Sequence, residues 1–233
     1  MTPSIALIAG VGDGLSASLA RTLASEGYEL VLAARDTDKL ATLATQTGAA
    51  TVSCDTADAD AVSALFEDLN GRLDVAVYNP SARVRGPVAE LDPAAVRQAI
   101  DVTAFGSFLF GQQAAKRMLA QEADHTGKRG TILFTGASAG VKGFPKSAPF
   151  AMGKFAQRGL AQSMARELHP EGVHVAWINI DGGIRNPGRT EPPDNPDSML
   201  SPDAIAGHYV MLIRQDRSTW SNELTLRPWV ESF

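Results

Sequence analysis

The stretch Ala9 to Ala20, AGVGDGLSASLA, gathers Gly10, Gly12 and Gly14 within five residues, directly after an apolar run near the start of the chain. Residues without side chains let backbone N–H groups, that of Leu15 included, and the positive end of the following helix approach a pyrophosphate. That is the chemistry of a dinucleotide cradle. Such a cradle usually pairs with an acid about 20 residues further on, which holds the adenosine ribose 2′-hydroxyl. Counting from Gly14 reaches Ala34, followed by Arg35. With no carboxylate at Ala34 and a guanidinium beside it, the site suits a 2′-phosphate, so NADP is expected over NAD. Two acids pull the other way: Asp13 would repel that phosphate, and Asp36 takes the ribose role if the loop is shifted.

A cradle of this kind needs a strand before it and a helix after it, and the chain supplies both repeatedly. Short β-branched runs at Ser4–Ala9, Leu30–Ala33, Ala50–Ser53, Val75–Tyr78, Thr131–Thr135, Val173–Asn179 and Glu223–Arg227 read as strands. Segments of helical period at Gly14–Glu26, Thr37–Gln46, Ala59–Leu69, Pro93–Ala120, Ser147–Leu168 and Pro202–Arg214 lie between them. Strict alternation implies right-handed βαβ crossovers and a mainly parallel sheet with helices on both faces. The fold expected is α/β, a doubly wound Rossmann-type single domain over residues 1–233. One stretch, residues 185–201, is rich in Pro and Asp and has no periodicity. It follows a strand at the carboxyl edge of the sheet, so it reads as a lid over a ligand.

Composition narrows the classes. The 233 residues, 44% apolar and 20% charged, suit one globular domain with a substantial core. A formal charge of -5 without a basic run argues against nucleic acid and against an anionic membrane surface. No apolar stretch approaches the roughly 20 residues that span a bilayer, and the first ten residues lack a basic segment and a cleavage site, so a cytoplasmic protein is expected. Cys54, the single cysteine, reads as a structural thiol. His125, His169, His174 and His208 have no neighbours at metal-ligand spacing, so no metal is expected.

The motifs together resemble the classical short-chain dehydrogenases/reductases from end to end. They are the glycine turn, CDT at Cys54–Thr56, YNPSA at Tyr78–Ala82, GTILFTGASAG at Gly130–Gly140, FAMGK at Phe150–Lys154 and NIDGGI at Asn179–Ile184. The resemblance implies that Asp55, with Thr56, meets the adenine and that Asn79 lies against the adenosine ribose. It places Gly182 and Ile184 beside the nicotinamide carboxamide, and Lys154 on the nicotinamide ribose. Ser16 replaces the third glycine of the family's first motif, Asn79-Pro80-Ser81 replaces its Asn-Ala-Gly, and Asp181-Gly182 its Pro-Gly.

The resemblance also implies a catalytic tetrad, and here the chain departs from it. The tyrosine position is Phe150, the serine position Ala137 and the asparagine position Asp101, leaving Lys154. Asp101 is expected to pair with Lys154 and keep it charged, and Ser138 to bond a substrate oxygen if the strand end bulges. Tyr78, Ser81, Ser138 and Tyr209 are the candidate substitute proton donors. Two readings follow: an NADP-dependent oxidoreductase of altered proton transfer acting on a small carbonyl or alcohol, or an inactive dinucleotide-binding sensor or partner subunit. A pocket lined by Phe144, Pro145, Phe150, Met152 and Met199 is expected to be apolar. The resemblance implies pairing through the long helices Pro93–Ala120 and Ser147–Leu168, and the excess of apolar and small residues over Pro149–His169 agrees, so a homo-oligomer, dimer or tetramer, is expected.

Overall fold

The β-branched runs become strands of one sheet, in the order β3-β2-β1-β4-β5-β6-β9, with every neighbouring pair parallel. These strands are β1 (Ser4–Ala9), β2 (Glu29–Ala34), β3 (Ala50–Ser53), β4 (Arg72–Tyr78), β5 (Gly130–Thr135), β6 (Val173–Ile180) and β9 (Glu223–Leu226). The computed structural model describes residues 3–231, so the ends of the expected 1–233 domain lie outside the described residues. The strands of β5 and β6 are buried along their whole length, as parallel strands covered on both faces must be.

Helices α1 (Leu15–Ser25), α2 (Ala41–Thr47) and α7 (Pro202–Ile213) cover one face, where Leu19, Leu23, Leu32, Ile178 and Leu212 share a core cluster. On the other face α3 (Ala59–Glu67), α5 (Gly106–Leu119) and α6 (Ala148–Leu168) bury Phe66, Phe110, Phe134, Met164 and Trp177. Burial on this scale, at roughly 25 cal/mol per Å² of apolar surface, is the main force holding the layers together. Helix α6 is further clamped to β9, because Arg158 makes a two-pronged pair with Glu223 at 2.9 and 2.8 Å.

The order of strands reverses between β1 and β4, and the loops after those two strands diverge there. A crevice opens at that switch point, at the carboxyl ends of the strands.

Two features depart from the periodicity. The single helix expected over Pro93–Ala120 is two helices, α4 (Pro93–Ile100) and α5, joined by a π-helical turn at Asp101–Phe105. The fully buried Tyr78 hydroxyl donates to the Val102 carbonyl, and no room is left beside Gly106, where a Cβ would lie 2.5 Å from that same hydroxyl. The extra residue in the turn relieves both demands. Its Thr103 hydroxyl then accepts the Ala82 N–H at 3.0 Å, fixing the loop after β4.

The second departure lies at 185–201, where no strand is expected. Two short parallel strands, β7 (Gly183–Ile184) and β8 (Met199–Leu200), pin the two ends of the segment together. Among the described residues no helix is long and apolar enough to cross a membrane.

Candidate functional site

The glycine turn sits at the carboxyl end of β1 and is closed by its own hydrogen bonds. Gly10 donates its N–H to Ala33 O at 2.9 Å with a φ of +76, and a Cβ there would lie 2.6 Å from Pro80 N, so both the backbone angle and the close approach require glycine. Ser16 does more than keep helix and strand close. Its hydroxyl donates to Gly10 O at 3.2 Å and accepts from Gly12 N at 3.3 Å and from Asn79 Nδ2 at 3.1 Å. Asn79 also donates to Gly10 O at 3.0 Å, so its amide braces the turn.

Gly12 behaves differently: nothing lies within 4 Å of a Cβ built on it. Its open side faces a cleft of about 360 Å³ lined by Gly10–Ser16, Asn79, Ser81, Thr135, Phe150, Lys154, Gly182 and Ile184. A turn free of side chains along such a cleft is the shape a pyrophosphate needs.

Arg35, Asp55 and Thr56 stand at the ends of β2 and β3, outside the lining of that cleft. Arg35 is exposed, and its guanidinium meets no carboxylate among the described residues. Asp36, the alternative ribose ligand, pairs with Lys39 at 2.8 Å. The Asp55 carboxylate caps Ala57 N at 3.0 Å, and the buried Thr56 hydroxyl shares a hydrogen bond of 3.2 Å with the Tyr78 hydroxyl.

Lys154 lies on α6 with 2% of its surface exposed, one helical turn after Phe150. Its ammonium donates to Thr135 O at 2.6 Å and to Gln157 Oε1 at 3.2 Å. The expected pairing with Asp101 does not form. Asp101 belongs to the π-helical turn and pairs with Arg97 one turn earlier at 3.2 Å. Without a carboxylate partner, burial brings the Lys154 pKa from 10.5 to about 7, with the charge of Arg83 adding to the shift.

Phe150 packs against Ala137 and Ala139, and the Arg83 guanidinium lies over its ring, 4.2 Å from the centroid. Neither tyrosine named as a substitute donor reaches the cleft. Tyr78 and Tyr209 are fully buried, Tyr209 shares a hydrogen bond of 2.8 Å with Thr135 Oγ1, and burial pushes both phenols well above their usual range. Ser81 and Ser138 do reach cavity walls, and their hydroxyls make no hydrogen bond among the described residues.

Beyond Phe150 the cleft widens into an outer chamber of about 700 Å³. Phe144, Pro145 and Phe150 line it as expected, whereas Met152 is exposed on α6 and Met199 lies against a different hollow near Trp229. Its other lining residues include Arg83, Arg85, Lys146 and Arg189, so the chamber is not simply apolar. These cations were not legible as a group, since they come from three separate loops and carry no periodic signal. A larger hollow of about 1020 Å³ lies at the opposite, amino edge of the sheet, beside Ser4, Arg72 and Gly130 and away from the glycine turn. Among the described residues no group of three or more His, Cys, Asp or Glu could hold a metal ion.

A sequence model of the family described as short chain dehydrogenase matches residues 4–190. A 3-dehydrosphinganine reductase of Arabidopsis thaliana is 32% identical over 179 residues, 73% of this chain, and the match spans 52% of that reductase's length. A short-chain dehydrogenase from Rhodopseudomonas palustris superposes with a TM-score of 0.82 at 32% identity, covering 97% of this chain and 99% of that one. A metagenomic short-chain oxidoreductase solved in complex with NADP gives 0.84 at 26% identity, over 99% of each chain.

Proposed function

The chain belongs to the short-chain dehydrogenase family, and on that premise we propose that it is an NADP-dependent oxidoreductase with an altered proton-transfer site, acting on a small carbonyl or alcohol. The observation that carries this reading is the buried Lys154 ammonium on the wall of the same cleft as the open face of Gly12. In this reading the glycine turn holds the pyrophosphate, Lys154 the nicotinamide ribose, and Gly182 and Ile184 flank the carboxamide. Arg35, exposed at the end of β2, meets the 2′-phosphate, and the NADP bound by the metagenomic relative supports that choice.

When bound, the nicotinamide supplies the hydride, chemistry that asks chiefly for orientation from the protein. Phe150 offers no proton, so the protein forgoes the roughly 10²–10⁴-fold that a positioned general acid provides. Arg83 compensates in part: its charge beside the Phe150 ring stabilises negative charge growing on the substrate oxygen, and the proton follows from water. Ser138 lines the chamber, which supports assigning it the hydrogen bond to that oxygen. Residues 185–201, pinned at β7 and β8, close over the pocket as a lid.

The test is calorimetric titration of NADPH and NADH, followed by NADPH consumption with a panel of ketones, imines and enoyl compounds. NADPH should bind more tightly, Arg35→Ala should narrow the difference, and at least one compound should be reduced. Tighter NADH binding, or an Arg35→Ala variant equal to wild type, overturns the NADP assignment.

One observation favours a second reading, a dinucleotide-binding protein without turnover. The positions of the family's serine and tyrosine, Ala137 and Phe150, present no hydroxyl to the cleft. NADPH binding with no consumption across the whole panel would select it.

A further inference from the structure

We propose that the outer chamber is an anion site, and that the substrate is a carbonyl compound bearing a carboxylate or phosphate group held by Arg85, Lys146 and Arg189. This inference rests on the oxidoreductase reading in taking that chamber as the substrate side of the cofactor cleft.

Four cationic side chains, Arg83, Arg85, Lys146 and Arg189, line one chamber, and no Asp or Glu is among its lining residues. In a chain of net charge -5 that is a local reversal of sign. None of the four is within ion-pair distance of a carboxylate among the described residues. Nor do their side chains make hydrogen bonds there. They repel one another, and the Arg83 pKa is lowered by desolvation first and then by Arg85 and Arg189. Like charges assembled without a counter-charge are what an anionic ligand neutralises.

The cluster is also built into the fold rather than scattered over it. Arg83 stacks on Phe150. The loop carrying Arg85 is tied to the loop carrying Lys146 by the hydrogen bond from Gly86 N to Lys146 O at 3.2 Å. Lys146 itself adopts φ +59, an uncommon angle for a residue with a side chain.

The cations divide by position. Arg83 and Arg189 line both the cofactor cleft and the chamber, whereas Arg85 and Lys146 line the chamber alone. The phosphates of a dinucleotide in the cleft therefore do not account for Arg85 and Lys146. The apolar walls at Phe144, Pro145 and Ile180 take the carbon skeleton, and Arg83, which lines both the cleft and the chamber, is the cation left for the reacting carbonyl.

Two matched pairs test this: 4-oxopentanoate against its methyl ester, and dihydroxyacetone phosphate against dihydroxyacetone. Each is titrated calorimetrically into protein loaded with NADP+, where no reduction can occur, and then assayed with NADPH. At least one charged member should bind about tenfold or more tightly than its neutral partner, with affinity falling as salt is raised. Preference confined to the first pair identifies a carboxylate ligand, and preference confined to the second a phosphate. Arg85→Gln, or Lys146→Asn, which tolerates the positive φ, should weaken that binding about fivefold or more while leaving NADP+ affinity unchanged. Equal binding within both pairs, no binding by any of the four, or a loss of NADP+ affinity in place of ligand affinity overturns the inference. Reduction of neutral members only would overturn it while keeping the oxidoreductase reading. Selective binding of a charged member without NADPH consumption would support it while removing that reading.

Discussion

Lys154 is the residue on which sequence and structure agree in position and differ in environment. Its spacing from Phe150 marked it, but the partner expected for it, Asp101, is held by Arg97, because side-chain reach depends on a π-helical turn that no periodicity announces. The consequence is a buried amine with a pKa near 7 in the folded protein and about 10.5 once unfolded. Between those values the unfolded chain binds more protons, so the ligand-free protein should gain stability as pH rises from about 7 and carry the full burden of a buried charge below it. Melting curves from pH 6 to 9 should therefore rise for wild type and run flatter for Lys154→Met; parallel curves would show that Lys154 is not a depressed amine. Phe150 supports a second expectation. Installing Ala137→Ser and Phe150→Tyr together should raise carbonyl reduction, since the Arg83 guanidinium over the ring of residue 150 depresses the new phenol's pKa, while either change alone should do much less. A stable, NADPH-binding double variant as slow as wild type in single-turnover assays would mean that substrate is not presented at residue 150.

Among the elements, the strands and most helices were legible because parallel strands buried on both faces read as continuous apolar runs, and β1 and the body of β6 fall where those runs do. The break between α4 and α5 was not legible. It arises from Tyr78 and Thr56 pressing on Gly106, contacts distant in sequence. Gly106→Ala should place a Cβ 2.6 Å from Thr56 O and destabilise the protein by about 1–3 kcal/mol in denaturant unfolding; an unchanged midpoint would show that the turn has slack. The pinning of 185–201 by β7 and β8 was not legible for a related reason, since two-residue strands carry no alternation to read.

At the scale of the molecule, the glycine turn was legible in its own residues and the doubly wound sheet in the alternation of elements, and the turn lies at the crevice where the strand order reverses. The charge of the outer chamber was not implied, because its cations are assembled from loops. Phe105 and Phe108 stack on each other at the π-helical turn and the start of α5, and Met152 and Phe155 stand exposed on α6. Such apolar surface suits pairing with a second copy, so light scattering should report a mass above the 24.6 kDa of one chain, reduced by Phe108→Asp with Phe155→Asp; a monomer at all micromolar concentrations would reject pairing.

The central claim, that the turn at Gly10–Gly14 holds a nicotinamide dinucleotide, is tested most directly at Gly12, which lines the cleft and where an added Cβ has no protein atom within 4 Å. The measurement is calorimetric titration of NADPH into wild type and into Gly12→Leu, with a melting curve confirming that both are folded. Saturable binding by wild type and a loss of about tenfold or more in the variant is the predicted result. No binding by wild type, or equal affinity in the two folded proteins, would contradict it.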